Sequence, residues 1–209
     1  MNKFAKDKYS HLIKKVIQCF TSAAFVYIIL SCSSEISIVA VSVGDFAKFV
    51  DETNYETEAE TYGWSIIQDD VYSFHTADNL NWRYPYGNDS ARLNYPVTQV
   101  SFNDAVAYCA WVGVQLPDYD EYWSAVDQDN RKINENAPKI LPLNDVNLVG
   151  NVWEITTSEN LNGEVRLAGG SYLCSEHTCH GTNPGRELYV DKTTGNTHIG
   201  FSVILRQKK

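Results

Sequence analysis

The spacing of apolar and polar positions divides the chain into short elements of two kinds. Val16 to Leu30 is a mostly apolar run, too short to cross a bilayer as a helix, which needs roughly 20 residues. Glu35 to Val43 is rich in β-branched residues and predicts a strand. From Asp45 to Glu52 the apolar positions are Phe46, Phe49 and Val50, a helical spacing that Asn54-Tyr55 ends. Glu56, Glu58 and Glu60 read as a solvated acidic turn, and Tyr62 to Ile67 as a short strand. Asp69 to Leu80 shows no period, and the aromatic, turn-rich Asn81 to Ser90 reads as an ordered surface loop.

Further on, Ser101 followed by Asp104 has the form of a capping box, so Ala105 to Val112 is a predicted helix that Gly113 ends. Val106, Cys109, Ala110 and Val112 are its candidate inner positions. Asp118 and Glu121 open a second helix that runs from Tyr122 to Val126. Gln128 to Lys139 is a polar loop. Val165 to Leu167 and Thr197 to Ile204 are predicted strands. No repeat occurs and strands do not alternate with helices as in a parallel sheet, so the pattern is α+β.

Charge and leader sequence narrow the setting. Hydrophobic residues make up 44% and charged residues 21% of the chain, a globular balance. The net charge of -9 argues against nucleic-acid binding, which needs a basic face. Lys3, Lys6, Lys8, Lys14 and Lys15 precede the apolar run, as in an export signal. The run ends in Ile29-Leu30-Ser31-Cys32-Ser33-Ser34, which resembles a bacterial lipobox. The expectation is a signal peptide over 1–31, lipidation at Cys32, and an exported, membrane-anchored protein facing the periplasm or the cell surface. Export places Cys109, Cys174 and Cys179 in an oxidising compartment. Cys109, inside an apolar helical run, is the odd one.

The densest candidate chemistry is Gly169-Gly170-Ser171-Tyr172-Leu173-Cys174-Ser175-Glu176-His177-Thr178-Cys179. Its glycines permit a turn or a close backbone approach. Its two thiols fit a soft ion such as Cu(I) or a small structural disulfide, and spacing does not choose between them. His177 and His180 flank the second thiol, whereas His75 and His198 read as structural or surface residues. Asn147-Leu148-Val149-Gly150-Asn151-Val152-Trp153-Glu154 offers amide, main-chain and carboxylate oxygens, the donors of a hard cation such as Ca²⁺.

Four segments in this order resemble motifs of the formylglycine-generating enzyme, or sulfatase-modifying factor, family. They are Pro96 to Val126, Val149 to Glu154, Gly169 to Cys179 and Ile199-Gly200-Phe201. The resemblance extends from about Val41 to Ile204 and implies one irregular α+β domain over 32–209, of C-type-lectin-like kind, with two main helices and short antiparallel strands. It implies a copper-dependent oxidase that converts the cysteine of a sulfatase Cys-x-Pro-x-Arg motif to formylglycine with O₂. Cys174 and Cys179 would then be copper ligands, Ser171 and Trp153 active-site residues, and Asn147, Gly150, Val152 and Glu154 a Ca²⁺ site, with main-chain oxygens supplied by Gly150 and Val152.

The chain also departs from the family pattern. The Val126 to Asn147 segment is short, and Gln115, Ile155 and Ser202 replace the usual Arg, Trp and Arg. Beyond Cys179 only Arg186 remains of the arginines that shape the peptide groove. These changes point to the alternative of a non-catalytic lipoprotein with a binding or assembly role at the cell envelope.

Overall fold

The computed structural model describes residues 36–126, 139–143, 149–175 and 177–206. The apolar leader, Cys32, the loop from Gln128 and Asn147 lie outside these residues. No helix among the described residues is long and apolar enough to cross a membrane.

The chain opens with strand β1 (Ile36–Ala40) and turns at once into helix α1 (Val43–Thr53). The predicted strand is shortened because Ser42 caps the helix, its Oγ accepting the Asp45 N–H at 3.0 Å. The acidic turn is instead helix α2 (Glu58–Tyr62). A capping box forms it: Glu60 Oε2 accepts the Thr57 N–H at 3.0 Å while Thr57 Oγ1 accepts the Glu60 N–H at 3.3 Å.

Strands β2 (Trp64–Gln68) and β3 (Phe74–Asp78) make a separate antiparallel hairpin. Sequence reading misses β3 because it is exposed along nearly its whole length, and a strand without a buried face has no alternation. The two expected helices are α3 (Phe102–Val112) and α4 (Tyr119–Val126). Both predicted caps are present, Ser101 with Asp104 and Asp118 with Glu121.

Of the expected inner positions of α3 only Cys109 is buried, and Ala110 is exposed. Ala105, Tyr108 and Cys109 are buried, whereas Val106 is 44% and Val112 45% exposed. Tyr108 sets this face by stacking on Phe46 with ring centroids 5.9 Å apart. Phe46 also meets Trp82 at 5.2 Å and Phe201 at 6.2 Å, so the aromatic loop around Trp82 is packed into the core. The fully buried rings of this cluster each contribute roughly 1.5–3 kcal/mol.

Strands β4 (Trp153–Glu159), β5 (Val165–Ala168), β6 (Tyr189–Val190) and β7 (Ile199–Arg206) join β1 in a five-stranded sheet ordered β1-β7-β4-β5-β6. Pairing is antiparallel except between β4 and β7, where Trp153 lies opposite Ile199 and Glu154 opposite Gly200. The starts of β4 and β7 and the end of β5 therefore share one end of the sheet. The β2–β3 hairpin is tied to that end. Thr197 N–H donates to Ile66 O at 3.1 Å, and Gln68 N–H donates to Thr197 Oγ1 at 3.0 Å. Ile36–Arg206 forms one contact unit with the expected α+β architecture.

Candidate functional site

The site grows from the end of β5. Past Ala168 the chain enters Gly169 and Gly170, whose φ values of 85° and 72° lie in the left-handed region that favours glycine. Main-chain bonds hold the turn: Gly150 N–H donates to Gly169 O at 2.8 Å, and Tyr172 N–H donates to Asn151 O at 3.0 Å. Gly170 also meets Gly181 closely, since a Cβ on Gly170 would lie 2.8 Å from the Gly181 carbonyl carbon. A Cβ on Gly181 would lie 3.0 Å from Cys174 Sγ. Two bare glycines thus let the arm after Cys179 fold back over the arm before Cys174.

The two arms bring the thiols together. Cys174 and Cys179 are joined as a disulfide, with Cα atoms 5.5 Å apart. Reduced, the pair would present two thiols at one point. Cys109 is free and buried, as expected, and burial pushes its thiol pKa up to about 12, which makes it a packing residue.

Ser171 is buried beside Cys174, its N–H donating to Sγ at 3.4 Å and its Oγ 4.0 Å from that sulfur. On its other side, Ser171 Oγ lies 3.3 Å from His198 Nδ1. His198 was not expected here. It comes from the residue just before β7, and its carbonyl accepts the Trp153 N–H at 2.9 Å across the parallel β4–β7 pair. Its ring is buried, and burial pushes its pKa down to about 4. The family resemblance already grouped Trp153 with Ser171, but no local spacing connects His198 to either, so sequence reasoning had no signal for His198 here.

These groups face a cleft of about 590 Å³. Trp153, Leu167, Leu173 and Ile199 give it apolar lining, and Ile66, Gln68 and Phe74 of the hairpin form one wall. Ser171, Cys174, Cys179 and His198 are its reactive and polar groups. Glu164, Arg186 and Asp191 also line it. Tyr72 and Phe74 stand on the hairpin side, 82% and 64% exposed.

The other candidates fall elsewhere. His75 is on the surface with Nδ1 2.7 Å from Asp69 Oδ2, as its surface reading expects. His177 and His180 are exposed, and no group of three or more His, Cys, Asp or Glu able to hold a metal occurs among the described residues. Among the described residues, the soft donors at the cleft that fit Cu(I) are the two sulfurs.

Of the expected Ca²⁺ set, Gly150, Val152 and Glu154 are described and buried. Glu154 Oε2 accepts the Ser202 hydroxyl at 2.9 Å, and burial pushes the carboxyl pKa up to about 8. A buried carboxylate fits a hard cation in donor type, since a divalent charge would offset the cost of ionising it.

Known proteins support a common ancestry. A family model described as the sulfatase-modifying factor enzyme 1-like domain matches residues 32–139. Mouse formylglycine-generating enzyme is 32% identical over 77% of this chain and 63% of its own length. The bovine inactive C-alpha-formylglycine-generating enzyme 2 is also 32% identical, over 59% of each protein. The chain therefore spans less than two-thirds of the length of these mammalian relatives. Formylglycine-generating enzyme of Thermomonospora curvata is 28% identical over 78% of both.

Two solved structures share the fold. PvdO of Pseudomonas aeruginosa superposes with TM-score 0.54 at 13% identity, over 80% of this chain and 78% of that one. CarF superposes with TM-score 0.51 at 17% identity, over 83% and 87%. Matched by the family model over 32–139, more than half of its length, the chain belongs to the sulfatase-modifying factor family.

Proposed function

We propose that this protein is a copper-dependent oxidase that converts the cysteine of a Cys-x-Pro-x-Arg motif in a sulfatase polypeptide to formylglycine with O₂. The observation that carries this reading is the meeting of Cys174 and Cys179 beside Ser171 in a cleft open to a peptide. Reduced, the two cysteines would hold Cu(I), leaving the substrate thiol as a third sulfur donor. Copper, when bound, supplies the O₂-activating chemistry. The chain's own residues position the substrate. Trp153, Leu167 and Leu173 keep the reacting end of the cleft apolar, and Ser171 sets a hydroxyl next to Cys174.

Glu154, with main-chain oxygens of Gly150 and Val152 and with Asn147, would hold Ca²⁺ as a structural ion. Cleavage before Cys32 and lipidation of that residue would tether the domain to the membrane of an exporting bacterium, facing the periplasm or the cell surface.

A second reading is a non-catalytic family member that binds a partner at the envelope. It is favoured by the likeness to relatives named inactive and by a cleft with Arg186 as its one arginine among the described residues.

Cu(I) titration of the reduced protein tests the first reading. One equivalent should bind tightly and be lost in the Cys174→Ala, Cys179→Ala double variant. The copper-loaded protein should then convert a Cys-x-Pro-x-Arg peptide, with the product identified by mass and by aldehyde trapping. An unoxidised peptide, with an active family enzyme working alongside, would favour the second reading. For the tether, incorporation of labelled fatty acid should disappear in Cys32→Ala.

A further inference from the structure

His198 is 9% exposed, and only one of its ring nitrogens has a protein partner among the described residues. Its main-chain N–H donates to Asn196 Oδ1 at 3.3 Å, and its carbonyl is taken by Trp153. The ring Nδ1 faces Ser171 Oγ, and the residue lines the cleft beside Cys174 and Cys179. Nε2 has no side-chain or main-chain partner among the described residues. The residue lines the cleft and keeps 9% of its surface exposed, so the cleft is where a partner for this nitrogen would come from.

The direction of the Ser171 bond decides what Nε2 is. Ser171 Oγ accepts the Leu173 N–H at 3.4 Å, which leaves it one lone pair and its own proton for its other neighbours. Two acceptors are near: His198 Nδ1 at 3.3 Å and Cys174 Sγ at 4.0 Å. Nitrogen is both closer and the stronger acceptor. A neutral imidazole that accepts at Nδ1 carries its proton at Nε2. Burial favours that neutral form. With the serine hydroxyl donating to Nδ1, Nε2–H is a donor in the cleft that Cys174 and Cys179 also line.

We propose that His198 is a substrate-positioning residue, which presents Nε2–H to a main-chain carbonyl of the thiol-bearing peptide, with Ser171 locking the tautomer. This rests on the reading of the cleft as a peptide-oxidising site. The acceptor follows from chemistry. A cysteine whose sulfur reaches Cys174 and Cys179 brings its flanking peptide groups into the same space, and these groups carry acceptor carbonyls. No proton leaves His198, so the residue holds the peptide and does not act as a base.

Two amide variants separate the two nitrogens. In His198→Asn, Oδ1 can stand near Nδ1 and keep the Ser171 bond, but the donor is lost. In His198→Gln, the amide N–H reaches the Nε2 position. The readout is fluorescence anisotropy of a labelled Ser-x-Pro-x-Arg peptide, which cannot be oxidised, binding to the reduced, copper-free full chain. Loss of one donor should weaken binding about tenfold in His198→Asn and less than about threefold in His198→Gln. Cu(I) affinity, measured separately, should stay within about twofold in both, whereas a merely structural role would lower it together with peptide binding.

Equal peptide binding by wild type and His198→Asn would overturn the inference alone. Absence of any peptide binding by wild type would overturn the reading beneath it and take the inference with it. Should the variants not fold, nitrogen NMR of histidine-labelled wild type decides. The Nε2–H tautomer, with an Nε2 resonance that moves on peptide addition, supports the inference. The Nδ1–H tautomer, or an unmoved resonance, refutes it.

Discussion

The aromatic core and the sulfur-lined cleft are built on different terms. In the core, Phe46 touches Phe49, Tyr108, Trp82 and Phe201, so each ring is held from several sides. At the cleft, Ser171, Cys174 and His198 meet through three contacts of 3.3 to 4.0 Å, and each comes from a turn or a strand end. The core stores stability in many small contacts, whereas the cleft stores geometry in a few. Variants should therefore separate the two regions cleanly.

The largest effect belongs to the core. Phe46→Ala should cost about 3–5 kcal/mol, read as a fall in the urea midpoint, while the folded fraction still binds Cu(I). Loss of the copper site with unchanged stability would reverse the comparison.

Next is Glu154, a buried acid that belongs to neither region. Its folded pKa of about 8 lies above the ordinary 4.5. The proton that burial favours is held by the folded chain, so this stability is complete below pH 4.5 and lost as pH rises through 8. Glu154→Gln should flatten that slope, with a gain on the order of a few kcal/mol at alkaline pH. Ca²⁺ should raise the melting temperature of wild type at pH 8 and leave that of Glu154→Gln unmoved. A Ca²⁺ response retained in Glu154→Gln would place the ion elsewhere.

The site itself should weigh less on stability. The Cys174–Cys179 bridge closes a short loop, so its reduction should cost roughly 2 kcal/mol. Melting with and without reductant checks this, and the Cys174→Ala, Cys179→Ala double variant should show no further response to reductant. Smaller still is the cap of α2. Thr57→Ala should cost about 1 kcal/mol, and Val106→Ser, on the exposed face of α3, less than about 0.5 kcal/mol. A large loss for Val106→Ser would mean that another surface covers that face.

Much of the frame was legible before the structure. Ser101 with Asp104 and Asp118 with Glu121 start their helices as expected, Gly113 ends one, and the paired cysteines were singled out by spacing. The misreadings have specific causes. Thr57 with Glu60 is also a capping box, hidden among acids that looked like a solvated turn. β3 has no buried face to give it a period. Val106 and Val112 are apolar and exposed because Tyr108 turns the helix toward Phe46. His198, read as structural or surface, is buried and lines the cleft, a place its neighbours in sequence do not signal.

What the chain determined by itself is local: where helices start and stop, which thiols can reach each other, and which glycines allow the turn at Gly169-Gly170. Such signals depend on neighbours three to five positions apart, and the backbone geometry of short segments is enough to express them. The tertiary structure alone decided that His198 joins Trp153 and Ser171 in one cleft. That grouping follows from the parallel β4–β7 pairing and from the close contact of Gly170 with Gly181. Both join positions far apart in sequence, where sheet register and packing choose the partners and no local spacing records the choice.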